Sequence, residues 1–203
     1  MATAAMMLSP ADHGRLLSYE EFESAPWEEG YRYELVHGRL YVSPVPELPH
    51  EIVTRWVTRS LDSYSDEYPE VVDFVSTAAR VHVPNQPRRT SVQPDIAAYH
   101  GFPKKLTLRK RINWHDVSPR LVVEIPSEDD PDKDLVRNVG LFMQVPSIKE
   151  YWIIDPREDY TRPALRVYRR RGVGWQRPID LAAGETYTTR LLPGFSLLLD
   201  PMA

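Results

Sequence analysis

An α/β fold with a buried central sheet follows from three features of the chain. Leu121-Val122-Val123-Glu124-Ile125 and Glu150-Tyr151-Trp152-Ile153-Ile154 carry apolar residues at consecutive positions, the pattern of strands covered on both faces. From His50 to about Tyr64, residues Ile52, Val53, Trp56, Val57, Leu61 and Tyr64 recur at three- and four-residue spacing, which predicts a helix with one apolar face. Lys133 to Met143 reads as a further helix, ended before Pro146 because proline cannot continue the backbone ladder. Strands alternating with helices give an α/β order.

The remaining elements fall in order around these. Ser18 followed by Glu21 forms a capping box that opens a short helix from Tyr19 to about Ser24. Arg32–Val36 and Arg39–Ser43 are extended runs joined at His37-Gly38, a two-residue hairpin signal in which glycine supplies the turn. Val71–Val75 and Ala79–Val83 alternate as strands, and Pro84-Asn85-Gln86-Pro87 breaks the second. Ile96–Tyr99 is a short strand. Beyond Ala164, Leu165–Arg169 alternates, Gly172–Gly174 turns into Trp175–Ile179, and Phe195–Leu199 closes the chain. That C-terminal third reads as an antiparallel β appendage on the edge of the sheet.

With 203 residues, 42% of them apolar, the chain can bury one sizeable core. Residues 1–17 read as a flexible terminus without the basic region of a signal peptide, and 18–203 as a single domain. No run of about 18 apolar residues is present, so nothing predicts a membrane span. The absence of cysteine excludes disulfides and thiolate metal sites and fits a reducing cytoplasm.

Charge is uneven. The formal net charge is −4, yet residues 1–79 hold 5 basic against 14 acidic residues, whereas residues 88–120 hold 8 basic against 2 acidic. Within the second stretch, Lys104, Lys105, Arg109, Lys110 and Arg111 form a local positive segment able to contact nucleic-acid phosphates. A solvated loop explains the same run without function.

Two carboxylates stand out. Asp95 follows Pro94 and opens a strand, and Glu124 lies near the end of the strand that pairs best with it. On neighbouring strands the two converge within ligand reach of one Mg²⁺ or Mn²⁺, hard cations that take oxygen ligands. The plainer alternative is that Asp95 caps a turn and Glu124 pairs with an arginine. His50 reads as a surface residue at a helix start, although a neutral imidazole there could face the site. His37 and His115 fall in turns and carry no assignment. Trp56, Trp152 and Trp175 sit in apolar patterns and read as core. The run Glu128-Asp129-Asp130 reads as a solvated loop before a helix N-terminus.

An ordered set of motifs now joins these. Tyr33-Glu34-Leu35-Val36-His37-Gly38-Arg39-Leu40 is followed by Ser43-Pro44, His50 and Pro94-Asp95. Then come Leu121–Ile125 with Ser127, Pro146-Ser147-Ile148-Lys149-Glu150-Tyr151-Trp152, and Asp155-Pro156. Over about residues 18 to 170 this order resembles the Uma2 family of bacterial restriction-endonuclease-like proteins in the PD-(D/E)XK nuclease superfamily. The resemblance implies a restriction-endonuclease-like core with a mixed β-sheet flanked by helices, a Mg²⁺- or Mn²⁺-dependent endonuclease acting on DNA, and Asp95 and Glu124 as metal ligands. It also implies that Glu34 is a further acidic member of the site. A homodimer would suit a two-strand cutter.

One departure matters. The superfamily lysine that usually follows the glutamate by two residues is Pro126 here, and the family's alternative position, four residues after Asp134, is Asn138. Asparagine can hold a water by hydrogen bonding but cannot carry charge or exchange a proton. On a regular helix Arg137 lies ~100° and Lys133 ~140° around from Asn138, and both are long enough to be considered as substitutes. Without a substitute, the chain would be a degenerate member that binds nucleic acid or assembles through its β appendage without cleaving.

Overall fold

The computed structural model describes residues 7–45, 47–86, 88–103, 112–128 and 131–203. Helix α1 (Tyr19–Ser24) starts as its capping box dictates: the Glu21 N–H donates to Ser18 Oγ at 3.1 Å, and the Ser18 N–H donates to the Glu21 carboxylate at 2.7 Å. Strands β1 (Tyr31–Val36) and β2 (Arg39–Pro44) form the expected hairpin, with His37 at φ 51° and Gly38 at φ 74°. Two positive φ values in succession are what the favoured two-residue turn requires. Helix α2 (Leu48–Glu67) follows, and its inward face is His50, Val53, Val57, Leu61 and Tyr64.

Four short strands come next: β3 (Phe74–Ser76), β4 (Val81–Val83), β5 (Thr90–Val92) and β6 (Ile96–Tyr99). After β7 (Leu121–Glu124), a π-helical turn (Lys133–Arg137) runs directly into α3 (Asn138–Met143). Strand β8 (Glu150–Asp155) leads to β9 (Ala164–Arg171), β10 (Gly174–Trp175), β11 (Ile179–Leu181), β12 (Thr186–Thr188) and β13 (Ser196–Leu198).

The main sheet has the order β10-β9-β8-β7-β6-β3, with β11 paired to β9. Strands β7 and β8 run parallel, joined by the crossover that contains the π turn and α3, and the other pairings are antiparallel. A second sheet, β2-β1-β5-β4, carries the hairpin. On one face of the main sheet, Ile96, Val123, Ile125, Trp152 and Ile154 pack with Val53, Val57 and Leu61 of α2. On the other, Val122, Tyr151 and Ile153 pack with Leu141 and Phe142 of α3 and with Val36, Val81 and Val92 of the second sheet. Both faces are covered, which is why β7 and β8 are apolar without alternation. Each such buried aliphatic side chain contributes roughly 1.5–3 kcal/mol.

Three features differ from expectation. Strand β5 follows directly on Arg88-Arg89 and β12 is only three residues long, so neither shows a readable alternation. The C-terminal appendage also closes the core, since Tyr187, Leu192, Phe195, Leu197 and Leu199 pack into the cluster beneath α2. Of the terminus expected to be flexible, residues 7–17 lie against the hairpin: Leu8 is 1% exposed, Tyr33 donates its hydroxyl proton to the Leu8 carbonyl, and the Leu17 N–H donates to the Gly38 carbonyl.

Candidate active site

The register of β6 against β7 pairs Ile96 with Val123, so one step further along Asp95 faces Glu124. Each carboxylate is held by the other strand's backbone: the Asp95 N–H donates to Glu124 Oε2 at 3.1 Å, and the Ile125 N–H donates to Asp95 Oδ2 at 2.7 Å. Glu34 reaches the same centre from β1, accepting the Gln93 N–H at 2.9 Å and Arg137 Nη2 at 2.7 Å. The three acids expected from sequence are thus brought together, and all are at most 3% exposed.

The helix after β7 supplies the rest. Asn138 is fully buried, and its Nδ2 donates to Glu124 Oε1 at 2.9 Å and to Asp134 Oδ1 at 3.1 Å. Its amide protons are therefore spent on positioning two carboxylates, and its Oδ1 accepts from Arg137 Nε at 3.1 Å. Asp134, expected only as a landmark, is a fourth buried acid, 4% exposed.

Lys133 lies in the centre, its Nζ 3.7 Å from Glu34 Oε2 and its side chain 13% exposed. The ~140° separation from Asn138 holds for a regular helix, but the turn here is not regular. The Asn138 N–H donates to the Lys133 carbonyl, a π-type bond that makes the two residues one wide turn apart, on the same side. Such turns inside helices occur frequently at functional sites. Arg137 also enters, stacked with its guanidinium 5.2 Å from the Tyr41 ring centroid.

Two further members join: Arg32, which was not foreseen, and His50, expected first as a surface residue and only alternatively as facing the site. Arg32 donates from Nη1 to Asp95 Oδ1, and His50 Nε2 lies 3.0 Å from the same oxygen. His50 therefore faces the site from the first turn of α2 instead of lying on the surface, with Thr54 Oγ1 3.2 Å from its Nδ1. The expected phosphate-binding residues Lys104, Lys105, Arg109, Lys110 and Arg111 lie outside the described residues, as do Asp129 and Asp130.

The electrostatics of the cluster divide its acids into two groups. Burial alone would raise Asp95, but the hydrogen bond to His50 and the Arg32 charge hold it well below the usual carboxylate range. Glu34 is likewise lowered against its burial by Lys133 and Arg137. Glu124 is raised well above its ordinary value by burial and then by Asp134 and Asp95. Burial pushes Asp134 up to about 7, with Lys133 opposing and Asp95 reinforcing. Lys133 is held protonated, because four surrounding carboxylates outweigh its burial. The crowding of carboxylates around Glu124 thus favours its protonated form, and a divalent cation is the other way such crowding is relieved.

Among the described residues, no group of three or more His, Cys, Asp or Glu side chains is arranged to hold a metal ion. Asp95 and Glu124 nevertheless offer two hard oxygen donors. Mg²⁺ keeps several waters and is commonly held by one or two carboxylates together with substrate phosphates. The donor set therefore fits Mg²⁺ or Mn²⁺, with Arg32 competing for Asp95 Oδ1.

The position of Asp134 has a measurable consequence. Its unfolded form loses a proton near 3.8 and its folded form near 7, so the folded state binds more protons between these values and stability falls as pH rises through that window. Asp134→Asn removes this loss. In chelator, the variant should gain stability over wild type from about pH 4 to about pH 7, with a level gap above that, as read by denaturant melts. A gap independent of pH would contradict this account.

Fold and site together define a mixed-sheet α/β protein with a buried acidic centre at the ends of two paired strands. A family model described as "Putative restriction endonuclease" matches residues 19–200, and the chain belongs to that family, Uma2. Among solved structures, it is similar to a "putative nuclease belonging to DUF820" from Anabaena variabilis ATCC 29413. The TM-score is 0.69 at 17% identity, over 90% of this chain and 95% of that one. This likeness shows the shared fold. No curated protein matches the chain. Among the described residues, no helix is long and apolar enough to cross a membrane.

Proposed function

We propose that the chain is a divalent-metal-dependent DNA endonuclease in which Lys133 takes the place of the lysine that Asn138 replaces. The observation that carries this reading is Lys133 itself, a partly buried ammonium 3.7 Å from Glu34 that also feels the charges of Glu124, Asp134 and Asp95. Asp95 and Glu124 would hold Mg²⁺ or Mn²⁺. When bound, such a cation supplies an acidified water and charge neutralisation at the phosphate.

The chain's own residues have distinct tasks. Lys133, fixed in its charged form, stabilises negative charge developing on the phosphoryl oxygens and orients the attacking water. It is not the base. Glu34 and Asp134 hold the Lys133 ammonium toward the centre, and Asn138 fixes the Glu124 rotamer. Arg137 neutralises Glu34 and stays protonated throughout. A second reading, a nucleic-acid-binding member that does not cleave, is favoured by Arg32 and His50 both occupying Asp95 Oδ1.

The two readings separate in a nicking assay on supercoiled DNA with Mg²⁺, Mn²⁺ or chelator. Nicking that appears with either cation and vanishes in chelator is the expected result. Inertness under all three conditions, with retained DNA binding, would favour the second reading.

A further inference from the structure

The β1–β2 turn lines two adjoining open grooves of about 380 and 490 Å³, His37 in the first and Gly38 in the second. Arg39, Arg88 and Tyr41 line the first, and Arg88, Arg89 and Tyr19 line the second. The acidic side chain on their walls is Glu20, so cations prevail. Among the described residues, none of the three arginines has a carboxylate partner. Arg39 donates to the Gly14 carbonyl, and Arg89 stacks over Tyr19 with its guanidinium 4.8 Å from the ring centroid.

The placement of Arg88 is built into the turn. A Cβ on Gly38 would meet Arg88 Cδ at 3.0 Å and Cβ at 3.3 Å, so the glycine that makes the hairpin also lets the Arg88 stem lie directly on it. This sets Arg88 where the two grooves meet.

The grooves lead to the site. Tyr41 lies opposite Glu34 in the hairpin register, and Arg137 bridges them, stacked on the Tyr41 ring while donating to Glu34. One side chain separates the cationic track from the acidic centre. A cationic groove interleaved with aromatic rings follows a phosphate backbone and stacks unpaired bases. Leu16, 52% exposed, adds an apolar contact shared by both grooves.

We infer that this groove binds a single-stranded stretch of nucleic acid, with Arg88 and Arg89 on its phosphates and Tyr19 and Tyr41 beneath its bases, and feeds it toward Glu34 and Lys133. The inference rests on the nuclease reading for its direction, but binding can be measured without cleavage. The test is fluorescence anisotropy in chelator, with a labelled single strand of about 16 nucleotides and the matching duplex, across a salt series. The proteins are wild type, the Arg88→Ala/Arg89→Ala variant and the Arg88→Lys/Arg89→Lys variant.

The alanine variant should bind the single strand roughly tenfold more weakly, and its logarithmic salt slope should fall by about 1.4, two phosphate contacts' worth. The lysine variant should keep the slope. Both arginines are exposed, so melting temperatures should stay unchanged. Wild-type affinity and slope in the alanine variant would overturn the groove, as would tighter binding of the duplex or no binding by wild type. Metal-dependent nicking would stand or fall separately.

Discussion

Lys133→Met is expected to slow metal-dependent DNA nicking by ~10²–10³, the usual effect of removing one preorganised donor that stabilises charge developing in the transition state. The size follows from position. Lys133 is held beside Glu34 by a π turn that puts it on the same side as Asn138, and the donors of Asn138 are already committed to Glu124 and Asp134. No other ammonium among the described residues is placed at this centre. Lys133→Arg keeps the charge but not the shape, because a planar fork does not replace a compact ammonium, and it should recover only part of the rate. Rates should be compared at equal folded fraction, because the methionine variant also leaves Glu34 and Glu124 less compensated. A Lys133→Met enzyme that nicks at the wild-type rate would remove Lys133 from the mechanism.

Arg32→Met should destabilise the metal-free protein by about 3–5 kcal/mol, the range for stripping one partner from a buried ion pair. Asp95 is 2% exposed and would keep His50 but lose the guanidinium on the same oxygen. The same change removes the internal competitor for a cation. Ligand stabilisation grows with occupancy, so Mn²⁺ should raise the melting temperature of Arg32→Met by more than it raises that of wild type. Calorimetric melts with and without Mn²⁺ provide the check. Equal metal-induced shifts in the two proteins would mean that Arg32 and the cation do not share Asp95.

Local sequence carried much of this architecture. Burial on both faces was legible in β7 and β8 because their apolar residues are consecutive, and the hairpin because His37-Gly38 tolerates two positive φ values. Asp95 and Glu124 could be found because short strands place their ends predictably, and Glu34 because of the motif around it. What escaped was held by distance. Arg32 meets Asp95 across 63 residues, and an arginine in an alternating strand gives no sign of an inward partner. His50 sits at a helix start that equally suits a surface residue. The angular estimate for Lys133 failed because it assumed regular geometry, and a π turn leaves no recognisable pattern in its residues. Strand β5 was hidden behind the basic run that precedes it. The cationic groove assembles from the β1–β2 turn and the segment before β5, which only tertiary structure brings together.

The most direct test of the account is nicking of supercoiled DNA in Mn²⁺ by wild type beside Asp95→Ala. Asp95 sits where the metal donors, Arg32 and His50 converge. The account predicts nicking by wild type that Asp95→Ala abolishes while the variant still binds DNA in chelator. Nicking that survives in Asp95→Ala would contradict it, since the chemistry would then lie elsewhere in the molecule.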